Sequence, residues 1–181
     1  MSRRVILLRG INVGAANRLP MADLKVALTE AGYPDTRTYM QSGNVLVRTD
    51  ASPAGLASEV KALIAERFGL DVPVVVRTRD ELQAVVDANP FPVAALIDPK
   101  HFQVTFLSGE PAPDRIRELA KHATDQEQFT SIGRELYAWH PDGIHNSRLA
   151  GMLTDRKLGV TATARNWTTV TTLLELAADD A

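Results

Sequence analysis

The stretch TRTYMQSGNVLVRT, residues 36–49, decides how the first half of the chain folds. Two β-forming runs, Thr36 to Met40 and Val45 to Thr49, flank Gln41, Ser42, Gly43 and Asn44. Ser42 and Gly43 read as a two-residue hairpin turn, which makes the runs antiparallel neighbours. On the N-terminal side, Pro20 suits a first helical turn, Met21, Leu24, Ala27, Leu28 and Ala31 recur at helical spacing, and Gly32 supplies a stop. Earlier still, Arg3 to Arg9 is a run of Val, Ile and Leu suited to a strand buried on both faces. On the C-terminal side, Ser52 as N-cap, Pro53, the face Leu56, Val60, Leu63, Ile64 and Phe68, and the stop Gly69 make a second helix. Val72 to Arg77 is the next buried strand. The order over residues 3–77 is therefore β-α-β-β-α-β, the ferredoxin-like pattern of a four-stranded antiparallel sheet with both helices on one face.

The second half repeats much of that order. Thr78 with Glu81 three residues on is a capping-box pattern for a helix that turns Leu82, Val85 and Val86 inward. Asn89 to Pro99, with three prolines, reads as a connector. Then come a strand at His101 to Leu107, a helix at Pro113 to His122, and strands at Gln128 to Ile132 and Glu135 to His140 around a Gly133-Arg134 turn. Two helices are expected to close the chain, Asn146 to Leu158 and Asn166 to Ala178. The expected class is α+β, with two ferredoxin-like subdomains of βαββαβ type and antiparallel sheets. Residues 1–78 form the first, 79–100 a helix and proline-rich connector, and 101–181 a second, incomplete subdomain with C-terminal helices. The repeat lies in element order; no residue-level repeat between the halves is evident.

Composition excludes several functions. The chain has 181 residues and no cysteine, so disulfide frameworks, thiolate metal sites and thiol nucleophiles are all absent. A net charge of −2 argues against a general nucleic-acid coat. The charge is unevenly spread, with ten basic and seven acidic residues in 1–78 against ten basic and fifteen acidic in 79–181. Arg3, Arg4, Arg9 and Arg18 make a basic segment at the start, and Arg148, Arg156, Lys157 and Arg165 make another. The apolar run Val5 to Leu8 ends at Arg9, short of a secretory h-region of ~7–15 residues, and no stretch approaches the ~20 apolar residues that span a bilayer. A cytoplasmic protein with no membrane partner is expected.

Four polar constellations are left over once core and turn roles are assigned. Arg9 to Gly14 follows a buried strand, and its two glycines let backbone approach a ligand while Arg9 offers a forked donor; it is neither a P-loop nor GxGxxG. Gln41 and Asn44 add amides that a bare turn does not require. Ser147 and Arg148 stand near an expected helix start, where backbone N–H groups favour anions. Arg165 and Asn166 beside Trp167 can bind an anion and stack on a base or sugar. The expected ligand-binding residues are thus Arg9, Asn12, Gln41, Asn44, Ser147, Arg148, Arg165 and Asn166. His140 and His145 around Asp142 lack a third metal ligand, so no metal site is expected, and no cofactor either. No Ser-His-Asp order, paired-carboxylate pattern or HExxH assigns catalytic residues.

The phrases LLRGINVG at 7–14, MADLKVAL at 21–28, YMQSGNV at 39–45, PVVVRTRDEL at 73–82, ANPF at 88–91, DPKHFQVTF at 98–106, ELYAWHPDGI at 135–144 and ARNWTTV at 164–170 resemble the domain-of-unknown-function 1697 family over roughly residues 3–177. The resemblance implies a bacterial soluble protein with two α+β subdomains of ferredoxin-like character, and it implies no activity. Typical members read RGINVGG followed by one or two basic residues, whereas this chain has Ala15, Ala16, Asn17 and Arg18. The leading functional expectation is a binding module for a phosphorylated small molecule or a short nucleic-acid segment, held in a polar cleft between the subdomains. A transferase or hydrolase acting on a phosphate-containing substrate, and a protein-interaction domain, are the alternatives.

Overall fold

The computed structural model describes residues 1–178. The chain divides into two compact units, one of residues 1–83 with the segment from Leu173 onward and one of residues 84–172.

The first unit contains β1 (Ser2–Leu8), α1 (Met21–Glu30), β2 (Arg37–Tyr39), β3 (Asn44–Thr49), α2 (Pro53–Phe68) and β4 (Val74–Thr78). The strands form one antiparallel sheet in the order β2-β3-β1-β4. Alternation along β1 sends Ile6 and Leu8 to one face, where they join Val45, Val47, Leu24, Leu28, Leu56, Val60 and Ile64 in a core fully closed to water. Each such side chain contributes about 1.5–3 kcal/mol by leaving water, so this face fixes the register. The ends of α2 are as the sequence indicates: Ser52 Oγ accepts from Gly55 N, and Gly69 closes the helix in the left-handed region.

Four residues, Met40 to Gly43, connect β2 to β3, because Tyr39 pairs directly with Asn44. The expected two-residue turn at Ser42 and Gly43 is therefore corrected. Met40 takes φ +58 and Gly43 φ +85, and Gly43 O accepts from Leu8 N at 2.8 Å, tying the turn to the end of β1.

α3 (Arg79–Asp87) begins with the expected capping box, Thr78 Oγ1 accepting from Glu81 N and Glu81 Oε2 from Thr78 N. The expected connector contains a short helix, α4 (Pro92–Ile97), because Pro92 occupies a first-turn position where its missing N–H costs nothing.

The second unit holds β5 (Phe102–Leu107), α5 (Pro113–Ala120), β6 (Gln128–Ile132), β7 (Glu135–Trp139), a single 3-10 turn at Ile144–Asn146, α6 (Arg148–Met152), α7 (Asp155–Leu158) and β8 (Ala162–Asn166), followed by α8 (Trp167–Ala177). Two expectations fail here. Asn146 to Leu158 is broken at Leu153 and Thr154, because Ser147 caps one short helix and Asp155 opens another. The second sheet is also complete, since β8 pairs with β5 to give the order β6-β7-β5-β8. Ala162 and Ala164 give β8 a weak hydrophobic signal, yet its backbone fills the fourth position. Among the described residues no helix is long and apolar enough to cross a membrane.

The two sheets correspond residue by residue. Val5 pairs with Leu46 on one side and Arg77 on the other; Val104 pairs with Tyr137 and Arg165. Arg77 and Arg165 are both buried. Each precedes the cap of the next helix, Thr78 for α3 and Asn166 for α8, where Asn166 Oδ1 accepts from Thr169 N at 2.9 Å. Leu8 and Leu107 likewise both end their strands by donating N–H to the residue before the third strand, Gly43 or Arg134.

Candidate functional site

Residues 9–20 join β1 to α1, and residues 108–112 make the equivalent connection from β5 to α5. The fold thus requires five residues there, and the first unit uses twelve. The longer loop is not slack. Gly10, Asn12, Gly14 and Asn17 all adopt left-handed φ, between 51° and 66°, and Val13 and Ala16 form a β-bridge. Buried Ile11 and Leu19 anchor its two arms.

Asn12 holds the loop in shape. Its Oδ1 accepts from Leu19 N at 2.9 Å, and its Nδ2 donates to Leu19 O at 2.9 Å and to Gln41 O at 2.8 Å. Asn17 Nδ2 closes the base on Gly10 O at 3.2 Å. Arg9 N donates to Pro73 O, so the first loop residue still belongs to the sheet. Between this loop and the Met40–Gly43 turn lies an open cleft of about 370 Å³ lined by Asn12, Gly14, Arg18, Pro20 and Gln41. Arg18 and Gln41 are exposed there. Asn44 is fully buried and closes the hairpin, donating to Tyr39 O and Ser42 Oγ, both at 3.0 Å.

Replacing Asn12 by Ala removes three hydrogen bonds to backbone and leaves a residue that resists left-handed φ; the loop is expected to lose about 2–3 kcal/mol of local stability. Amide exchange at Leu19 checks it: protection equal to that of the native chain would refute this role. Asn12→Gly, which keeps the conformation without the bonds, should fall in between.

The corresponding cleft of the second unit, also about 370 Å³, is lined by Glu110, Pro111, Pro113, Ile116, Arg117, Ser131 and Gly133. It carries both charge signs and two prolines where the first unit presents a cation and amides.

The other expected residues, Ser147, Arg148, Arg165 and Asn166, belong to the second unit. Ser147 Oγ accepts from Ala150 N at 2.9 Å as a helix cap and donates to Glu127 Oε1. Glu127 Oε1 also takes His140 Nδ1 at 2.6 Å, and its Oε2 accepts from Thr124 N at 2.9 Å. Burial pushes the Glu127 carboxyl up, but the bonds from Ser147, His140 and Thr124 outweigh it and hold the group below its ordinary value. His140 is buried, and its Nε2 meets no hydrogen-bond partner among the described residues. Arg165 is 7% exposed; burial pulls its guanidinium down to about 10, and its Nη1 donates to Thr163 Oγ1 at 2.7 Å and Ala164 O at 2.8 Å. Arg148 is exposed.

Structure therefore brings Asn12 against Gln41 and gives Asn44, Ser147, Arg165 and Asn166 bonds within the fold. Sequence reasoning missed Arg18 as a cleft residue, Glu127 as the hub of a buried network, and a second imidazole–carboxylate pair. In that pair His101 Nδ1 lies 3.1 Å from Asp98, whose Oδ2 also accepts from Trp139 Nε1 at 3.0 Å. The three-residue spacing of Asp98 and His101 was the available signal. Among the described residues no group of three or more His, Cys, Asp or Glu side chains can hold a metal.

The sequence pattern of a family described as protein of unknown function (DUF1697) matches residues 1–137. Among solved structures, that of the conserved bacterial protein SP0830 from Streptococcus pneumoniae is similar, with a TM-score of 0.77 and 20% identity over 98% of this chain and 99% of that one. At that identity the likeness shows the fold alone. No curated protein matches the sequence.

Proposed function

The chain belongs to the DUF1697 family of proteins of unknown function, and from that premise we propose that it is a binding module for a phosphate-bearing ligand, either a phosphorylated small molecule or a short nucleic-acid segment, taken up at the loop cleft of the first unit. One observation carries this reading. The first unit spends twelve residues, internally bonded and pinned by Asn12, on a connection that its counterpart makes with five. A loop elaborated beyond the needs of the fold and held rigid is where scaffolds place recognition. Arg18 supplies the forked cationic donor and Gln41 the amide, while Asn12 and Asn44 act as frame. We also read each unit as ferredoxin-like, which the repeated strand order supports.

Titration calorimetry of the full chain with adenosine monophosphate and with a five-nucleotide single strand tests the proposal. Arg18→Gln is expected to weaken the ligand that binds by ~10-fold, the value of one charge-assisted contact. Binding of neither, or binding indifferent to Arg18, would sink it. The two ligands separate the small-molecule from the nucleic-acid form.

An enzymatic reading draws on the His101–Asp98 pair, in which the carboxylate fixes the imidazole by its Nδ1 as in general bases. Turnover of a phosphate ester that is lost in His101→Gln would favour it over binding alone.

A further inference from the structure

At the other end of β1 the first unit holds a second cavity, of about 370 Å³, lined by Ser2, Arg3, Arg4, Thr78, Arg79, Asp80 and Ala178. Arg4 and Thr78 are cross-strand partners, and Arg79 and Asp80 follow directly at the start of α3. The cavity is thus built from two adjacent strand ends.

The same end of the sheet concentrates arginine. Arg3 pairs directly across from Arg48, and Arg37 lies on the neighbouring strand. One carboxylate, Asp35, meets all three, at 3.2 Å from Arg3 Nη2, 2.9 Å from Arg48 Nε and 4.0 Å from Arg37 Nε. Two like charges placed opposite each other across a ladder destabilise a sheet. Burying the Arg3 guanidinium costs more still, and Arg3 is 1% exposed.

The second unit acts as an internal control for what the fold itself demands. The positions equivalent to Arg3 and Arg48 are Phe102 and Trp139, which pair in the same register, and the position equivalent to Arg37 is Thr130. Phe102 stacks on Trp167 at 5.0 Å and packs against Tyr137 at 6.4 Å, an ordinary aromatic core. The same architecture is therefore built with an aromatic pair where the first unit has an arginine pair. The fold does not demand arginine at these positions; held by Asp35 on the sheet face opposite Arg4, the pair adds positive charge to the end of β1 where the cavity opens.

We infer that this cavity binds a small hydroxylated phosphate monoester, of the sugar-phosphate class. Arg79 offers its guanidinium to the phosphate together with Arg4, whose Nε also donates to Ala51 O at 3.4 Å and whose Nη1 donates to Ser2 Oγ, and the Thr78 hydroxyl stands beside them. Asp80, which lies 3.6 Å from Arg79, accepts from a ligand hydroxyl. Among the described residues of the lining Ala178 is the one apolar side chain and none is aromatic, so none of them stacks on a base, which separates this ligand from a nucleotide. The site is independent of the loop cleft and does not contain Arg18.

Calorimetry of the full chain with glucose 6-phosphate and with inorganic phosphate tests the inference. Saturable binding of both is expected, tighter for glucose 6-phosphate. The double variant Arg4→Gln, Arg79→Gln should weaken both by at least ~10-fold. Asp80→Asn should erase the preference for the sugar phosphate, and Arg18→Gln should change neither. These positions are surface-exposed or half-buried, and an unchanged circular dichroism spectrum verifies folding. The inference is overturned by an absence of saturable binding at millimolar ligand. It is equally overturned by binding that sulfate reproduces at matched ionic strength, or by binding that survives the double variant. Loss of binding in Arg18→Gln alone would place the ligand in the loop cleft instead and overturn this site while sparing the other.

Discussion

Gly43→Ala is expected to cost the first unit about 2–5 kcal/mol, from left-handed strain and overpacking acting together. Gly43 has φ +85, and a Cβ built there would stand 2.7 Å from Leu8 Cβ and 3.0 Å from Ile11 Cδ1. Neither neighbour can yield easily. Leu8 ends β1 and is fully buried against the α1–α2 core, and Ile11 anchors the first arm of the long loop. Shifting the turn instead would break the bond from Leu8 N to Gly43 O and the contact of Gln41 O with Asn12 Nδ2. The substitution thus strikes the hairpin and the candidate cleft at once. Both tryptophans, Trp139 and Trp167, lie in the second unit and report on it. The measurement for the first unit is therefore hydrogen exchange at Leu8 and Val45 alongside urea unfolding followed by circular dichroism. Protection at those amides equal to the native chain would show that the turn relaxes without cost, contrary to this account.

That same glycine shows where the sequence is legible and where it is not. Its presence in a turn was readable, and so were the strands and helices around it, because period-2 and period-3.6 patterns and end signals such as Ser52, Pro53 and Gly69 are local. The number of turn residues was not, because Leu8 and Ile11 set it from more than thirty positions away. Asn12 looked like a ligand amide for the same reason: its partners are Leu19 and Gln41, seven and twenty-nine residues distant. β8 escaped notice because Ala162 and Ala164 carry little hydrophobic signal, so only its pairing with β5 declares it a strand.

The internal repeat was hidden differently. Arg77-Thr78 and Arg165-Asn166 correspond, but the capping residue and everything after it have diverged, and only the shared register of Val5 and Val104 aligns them. Once aligned, the two units separate what the fold requires from what it does not. The buried arginine of the fourth strand and the cap after it occur twice and belong to the architecture. The twelve-residue loop and the Arg3–Arg48 pair occur once, and both lie in the first unit. The basic segment at residues 1–18 thus divides between two places, Arg3 and Arg4 at one end of β1 and Arg18 at the other.

Glu127→Ala is expected to destabilise the second unit by about 3–5 kcal/mol at neutral pH, because it strips a buried network of the acceptor its members share. The Glu127 side chain is 5% exposed, and its two oxygens take His140 Nδ1, Ser147 Oγ and Thr124 N. His140 already has Nε2 without a partner among the described residues, so losing Glu127 would leave its whole ring unsatisfied at a buried position. The pH dependence has a definite sign. Glu127 titrates lower in the folded chain than its ordinary value, so its ionised form stabilises the fold at any pH above the unfolded carboxyl pKa, and that contribution drains away as pH falls through the folded pKa. The gap between native chain and variant should therefore be widest near neutrality and narrow steadily below about pH 4, once the unfolded carboxyl, near ~4.3, has protonated. Urea unfolding followed by tryptophan fluorescence at a series of pH values measures it on the correct unit. A gap that stays constant from pH 7 down to pH 3 would mean that the carboxylate's charge contributes nothing and that Glu127 acts there only by filling space.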